Sequence, residues 1–424
     1  MQKAGVMPSR IMDRKRLFHI VLRHITDTAA GFLPGTGKGK GGKSRVLVVR
    51  PDGIGDFVLF TDALRGIRKL YPPETHEITL VANVTLGKIA SELALMDVVI
   101  LIDRQLFMEN LIYRWKLMRR FRRTGYDFAF NPVFSRVAII DDAIVRVTKA
   151  PVRIAWEGNL DNMSKKVKWY TDRWYKKLVP NSENTLMELT RNAQFVRGIG
   201  LAEFKASLPV IHVAENWKES ADKLLQENRI SRTYYIILPG TGLPAERAWP
   251  ADRYGELARL IVKRGMGDIL VCGGEGDRSL GRQIVETSGS GQVFDLTGKT
   301  TLETLAVIMS EAEAVIGSDT GGIHLAAAVG GKAISITGGA FPGRFFPYQV
   351  ESDVWDRSEI KKIGNHAPIV VKSAVQCECP NWSCIRSDWS GGTFPCISEI
   401  GVDDVFRKLT EIYDLRVSSV PQEP

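Results

Sequence analysis

No apolar run in this 424-residue chain approaches the ~20 residues that a membrane-spanning helix needs. The N-terminal stretch also lacks the unbroken apolar segment of a signal peptide, because Arg10, Arg14, Lys15, Arg16 and Arg23 interrupt it. These two absences make the cytoplasm the expected location. No self-similar period of the solenoid kind is present. Cysteine is scarce, at five residues, and in a reducing compartment disulfides are not expected among them. Cys272 stands alone in an apolar pattern, DILVCGG, and reads as a buried thiol.

The chain is long enough for two cored domains, since single cores stop growing at about 250–300 residues. Its apolar content of 44% and charged content of 25% are those of an ordinary globular protein. The net charge of +9 conceals an asymmetry. Residues 1–200 hold 34 Lys+Arg against 19 Asp+Glu, whereas residues 201–424 hold 23 against 29. The basic half suits an anionic partner.

Residues 9–32 space Ile11, Leu17, Phe18, Val21, Leu22 and Ile25 at helical intervals among basic residues. This predicts an amphipathic helix that either packs on the protein or meets a membrane surface. The glycine-rich stretch that follows matches G-x4-G-K-S at Gly37, Gly42, Lys43 and Ser44. A phosphate loop needs a strand before it and a helix directly after it. Here a strand follows instead, so the stretch reads as a basic Gly/Lys linker.

From residue 45 the pattern alternates between strand and helix. RVLVVR, EITLVAN, VVILID and YDFAFNP read as strands, and FVLFTDALRGIRKLYP and residues 105–124 as helices. Residues 150–182 read as irregular and residues 183–198 as a closing helix. A linker near 199–212 leads to a second alternating unit, with strands at YYIILPG, DILVCGG, VFDLTG, AVIGSD and KAISITGG. A last helix near 402–416 is read as free to fold back over the first lobe. Alternation of this kind builds parallel sheets with helices on both faces. The expected organisation is an amphipathic helix and basic Gly/Lys linker at 1–44, α/β domains at 45–200 and 208–355, and a Cys-rich loop with the last helix at 356–424.

Open parallel sheets bind ligands beyond the carboxyl ends of their strands. Two glycine-rich turns stand there. In Pro51–Asp56, Gly53 and Gly55 permit close backbone approach beside Asp52. Asp56 reads either as an N-cap or as a general base. In Ser318–His324, a strand passes into a helix of small residues whose free N–H groups suit a diphosphate. There Asp319 is a candidate for a sugar hydroxyl. His324 is either a helper or a satisfied helix-face histidine. A third loop carries Thr241 and, further on, Arg247, whose guanidinium suits phosphate oxygens. Trp249-Pro250 reads as the start of the next helix, with proline in its first turn.

LVVRPDGIGDFVLFTDALRGIRKLYP, RAWP-x3-Y-x-EL and SDTGGIHLAAAVGGKAISITGG occur in that order over most of 45–350. Together they resemble glycosyltransferase family 9, the ADP-heptose:lipopolysaccharide heptosyltransferases. The resemblance implies a GT-B fold, two doubly wound Rossmann-like domains with an interdomain cleft, an acceptor-binding domain at 45–200 and a nucleotide-sugar-binding domain at 208–355. It further implies inverting, metal-independent transfer from a nucleotide-diphosphate sugar, with ADP-heptose as default donor, to a lipopolysaccharide or other surface-glycan acceptor. The lack of any Asp-x-Asp agrees with this. Carried over by position, Asp56 is the base, Arg247 and the turn Thr320, Gly321, Gly322, His324 serve the phosphates, and Asp319 holds the donor. Gly322, where the family often has proline, and Arg247, often lysine, depart from its pattern. The expected partners are the donor, an anionic glycolipid and the inner membrane face, without nucleic acid. A sugar-nucleotide epimerase and a non-catalytic glycan-binding protein are the alternatives.

Cys377, Cys379, Cys384 and Cys396 fall within 20 residues. Four thiolates are candidate ligands for structural zinc or iron. The C-x-C opening differs from the usual C-x2-C knuckle, and packed free thiols are the alternative.

Overall fold

The structure, a computed structural model, describes residues 23, 26–35, 42–181, 187–242, 245–340, 343–351, 367–373, 379, 384–386 and 389–417. Most of the amphipathic segment at 9–32, part of the glycine-rich linker and Cys377 lie outside the described residues.

Two six-stranded, wholly parallel sheets carry the chain. The first contains β1 (Ser44–Arg50), β2 (His76–Asn83), β3 (Val98–Ile102), β4 (Phe128–Asn131), β5 (Val152–Trp156) and β6 (Lys177–Val179), in the order β3-β2-β1-β4-β5-β6. The second contains β7 (Tyr234–Leu238), β8 (Asp268–Val271), β9 (Val293–Asp295), β10 (Val315–Ser318), β11 (Ala333–Ile336) and β12 (Ile369–Val371), in the order β12-β11-β10-β7-β8-β9. Counted from each sheet's first strand, these are the same doubly wound order, with a switch point between the first and fourth strands. The central strands read as near-continuous apolar runs because helices cover both faces. Val46 to Arg50 of β1 and all of β7 are buried.

The chain divides into two compact units that do not follow linear order. One comprises residues 1–51, 71–83 and 96–181, and so holds the first sheet. The other comprises 52–70, 84–95 and 182–424. It therefore contains the second sheet and also the helix Ile54–Leu70, which packs on the helices Glu188–Ile199 and Gly321–Ala328.

Several local expectations are corrected. Residues 150–182 are not irregular: they supply β5, β6 and the helix Lys165–Asp172. These elements are short and interrupted by charge, as in VRIAW, so periodicity did not reveal them. The basic helix at 105–124 is two helices, Arg104–Glu109 and Leu111–Thr124, because the Asn110 side chain caps the second by accepting from the Ile112 and Tyr113 N–H groups. Glu215–Glu227 is a further helix and Ile369–Val371 a further strand, neither read from the pattern. The last helix, Val402–Val417, belongs to the second unit. It packs on the helix Ala251–Lys263 and on β11 and β12, with Val405 and Leu409 buried in the core of the second unit.

Candidate functional site

The second unit carries both glycine-rich turns. Beyond β7 the chain runs into Pro239–Gly242, and beyond β10 into Asp319–Gly322. These strands are neighbours at the switch point, where a crevice is expected. A cleft of about 550 Å³ opens there. Its walls include Gly53, Gly55, Asp56, Thr241, Arg247, Asp319, Thr320, Gly321, Gly322 and His324. Of the candidate residues in the two turns and the Thr241–Arg247 loop, Asp52 alone is not among its lining residues.

Two helix starts meet at this cleft. Ile54–Leu70 begins just after Gly53, so Asp56 sits inside its first turn and is not the N-cap. Gly321–Ala328 begins after Thr320, an extended residue whose side chain makes no capping hydrogen bond. The two starts touch glycine to glycine. A Cβ on Gly321 would lie 2.7 Å from the Gly55 nitrogen, and one on Gly55 would lie 3.1 Å from the Gly321 Cα. The glycines thus serve close approach of two backbones, with φ in the ordinary range. The contact puts the Asp56 carboxylate and the first N–H groups of the second helix on one cleft.

Arg247 belongs to a short 3-10 turn, Ala245–Arg247. Its guanidinium lies 3.5 Å from Asp319 Oδ2 and donates to the Asp319 carbonyl at 3.2 Å. Burial raises the Asp319 carboxyl, and Arg247 pulls it the other way. Burial likewise lowers the Arg247 guanidinium, with Asp319 opposing. Ser318, fully buried, ties this loop to β10 by accepting from the Trp249 N–H at 3.0 Å and pairing with the Tyr254 hydroxyl at 3.0 Å. The Trp249 indole donates to the Ile400 carbonyl at 2.9 Å. Pro250 is the N-cap of the helix Ala251–Lys263, one place before its first turn.

His324 is buried and stacks on Phe346, with ring centroids 4.5 Å apart. Its Nδ1 lies 2.7 Å from the Tyr348 hydroxyl. Burial lowers the imidazole to about 3, with Glu188 opposing, so the ring is neutral at ordinary pH. Its structural reading as a satisfied histidine and its position on the cleft wall therefore coexist.

The family model for glycosyltransferase family 9 (heptosyltransferase) matches residues 114–365, more than half of the chain. The chain belongs to glycosyltransferase family 9. Among its relatives, lipopolysaccharide heptosyltransferase 3 of Escherichia coli (strain K12) is 24% identical over 149 residues, 35% of this chain and 43% of that protein. The matched stretch is thus less than half of that relative's length. A glycosyl transferase family 9 structure from Veillonella parvula DSM 2008 shares 19% identity, covering 87% of this chain and 97% of its own, at a TM-score of 0.66. The E. coli ADP-heptose lps heptosyltransferase II structure shares 17%, covering 88% and 99%, at 0.63. These likenesses establish that the two sheets follow the fold of solved family 9 proteins.

The family 9 cleft also has walls that the motifs did not announce. Asp277 accepts from the Gly274 N–H at 2.9 Å, and its carboxylate occupies the space a side chain would need at Gly240 or Gly273. It thereby fills the space between the turns after β7 and β8. The signal was present in CGGEGD, a third glycine-rich strand-to-helix turn. Thr300, Thr301 and Phe345 line the cleft without any local signature.

Other candidates lie apart from it. Lys116, Arg119, Arg120 and Arg123 form one cationic helix stripe beside Arg45, at the amino end of β1. That is the sheet edge opposite the one where parallel sheets bind ligands. Lys43 precedes a strand and donates to the Pro73 carbonyl. Cys272 is buried, and burial pushes its thiol up to about 12. Cys379 and Cys396 are buried and Cys384 half-buried. Cys396 Sγ accepts from the Gly339 N–H at 3.3 Å. Among the described residues, no three His, Cys, Asp or Glu side chains are placed to hold a metal ion. Also among them, no helix is long and apolar enough to cross a membrane.

Proposed function

We propose that this chain is an inverting glycosyltransferase that moves a sugar, heptose by default, from a nucleoside-diphosphate donor to a lipopolysaccharide or related surface-glycan acceptor. The carrying observation is the shared cleft of Asp56 and the uncapped N-terminus of the helix Gly321–Ala328. An acceptor hydroxyl loses its proton to Asp56 as its oxygen attacks the anomeric carbon. The diphosphate leaves with its bonding electron pair. N–H groups of a helix start are suited to that charge, and so is a guanidinium such as Arg247. These donors perform the role a divalent ion would otherwise fill, so the proposed transfer needs no metal at the phosphates. Asp319, beside Arg247, is assigned to a hydroxyl of the donor sugar, which its carboxylate can accept from.

The donor assignment follows the name of the E. coli relative, an ADP-heptose heptosyltransferase. A binding screen of ADP-, GDP-, UDP- and dTDP-sugars tests it. Asp56→Asn tests the base: transfer, assayed with a chelator present, should fall by at least the ~10²–10⁴-fold that general base catalysis contributes. Donor affinity should change little. An Asp56→Asn protein that transfers at the original rate would overturn the mechanism.

A further inference from the structure

We infer that the first unit carries a docking surface for an anionic lipid bilayer, built around the helix Lys165–Asp172. This inference does not rest on the transfer chemistry. The helix reads KKVKWYTD, and Thr171 is its only buried residue. Trp169 is 63% exposed, with Val167 and Tyr170 exposed beside it. Val167 and Tyr170 also line a groove of about 390 Å³ together with Ile139 and with Phe32, itself 80% exposed. Soluble surfaces rarely gather so many large apolar side chains at one place.

Cations rim the same groove. Lys149 lies over the Phe32 ring and Arg146 over the Trp174 ring, at 5.5 and 4.4 Å from the centroids. Lys165 and Lys166 are exposed on the helix itself. Asp27, the acidic residue of the groove wall, is engaged by Arg114 through bonds of 2.7 and 2.6 Å. Tryptophan and tyrosine flanked by lysine suit the headgroup layer, where the ring enters the acyl boundary and the ammonium stays with phosphate.

Charge selects the occupant. The chain's own N-terminal segment is the nearest alternative, but Arg10, Arg14, Lys15 and Arg16 would bring it the same sign as the groove. A surface of lipid phosphates brings the opposite sign, and would attract that segment as well.

Flotation of the full-length chain with vesicles, without donor or acceptor, tests the inference independently of activity. Binding is expected to vesicles containing phosphatidylglycerol, to weaken with salt, and to be absent from pure phosphatidylcholine. Each basic residue near an anionic surface is worth roughly fivefold in affinity. Lys149→Asn/Lys165→Gln/Lys166→Gln should therefore bind about 100-fold more weakly. Asparagine is chosen at 149 because that residue has φ of 52° and asparagine tolerates the left-handed region. Phe32→Ser/Trp169→Ser should lose binding while melting at an unchanged temperature. Equal binding to neutral and anionic vesicles, or variants that bind like the unsubstituted chain, would overturn the inference. So would loss of binding on removing residues 1–22 while the groove variants keep it, or self-association that Trp169→Ser abolishes without any vesicle binding.

Discussion

Gly321→Ala is the sharpest test of the arrangement at the cleft. The added methyl would sit 2.7 Å from the Gly55 nitrogen and 3.0 Å from the Ile54 Cβ. Ordinary contact lies near 3.5–4.0 Å, so one helix start must retreat by roughly 0.8 Å or more. Neither neighbour is the free end of a flexible side chain, so the shift falls on backbone. Forced overpacking of this kind costs about 1–3 kcal/mol, against a gain of at most ~1 kcal/mol from replacing glycine in a helix. The activity effect should exceed the stability effect, since a misplacement of ~1 Å at a reacting site costs on the order of 10²-fold. Urea unfolding gives the first quantity, and kcat/KM with saturating acceptor gives the second. Gly276→Ala is the control, because nothing lies within 4 Å of a Cβ there. A Gly321→Ala protein as stable and as active as the Gly276→Ala control would refute the glycine-to-glycine contact.

His324→Gln tests the buried imidazole. The folded value of about 3 lies below the ~6.5 of the unfolded chain, so unfolding takes up a proton between those pH values. Stability contributed by the neutral ring is therefore complete above pH ~6.5 and is lost as pH falls toward 3, by up to ~1.4 kcal/mol per pH unit. Urea midpoints of the parent minus those of His324→Gln should show that slope, and a flat difference would contradict it. In the first unit, Arg136 pairs with the fully buried Asp142 at 3.1 Å and with Asp172. Arg136→Leu should destabilise by about 3–5 kcal/mol, because it leaves Asp142 charged and without its cation. Adding Asp142→Asn should return part of that loss in the same unfolding assay.

Legibility differed by element for physical reasons. Long periodic helices such as Ala251–Lys263, and the apolar strands β1 and β7, bury continuous faces, so their patterns are strong. The short strands β5, β6 and β12 carry three to five residues each. Too little of their sequence is constrained to stand out. Asn110 shows the same limit at a boundary, where one side-chain cap divides a basic run that periodicity treats as continuous. In the cleft, Asp56 and Asp319 were legible because each stands in a glycine-rich turn between a strand and a helix, and Arg247 because it opens the contiguous RAWP motif. Asp277 acts through contacts with three separate glycines and was not.

By itself, the sequence determined two doubly wound α/β lobes, the glycine turns after β1 and β10, and membership of family 9. Each of these is written in local periodicity or in a contiguous motif. Tertiary structure alone decided that the turn at 53–56 and the turn at 319–324 belong to one unit, about 265 residues apart in the chain. It also decided that their glycines exist to touch each other. Such a contact depends on how the helix Ile54–Leu70 packs against Glu188–Ile199 and Gly321–Ala328. No local window of residues encodes that packing, because it is selected by the summed fit of distant side chains.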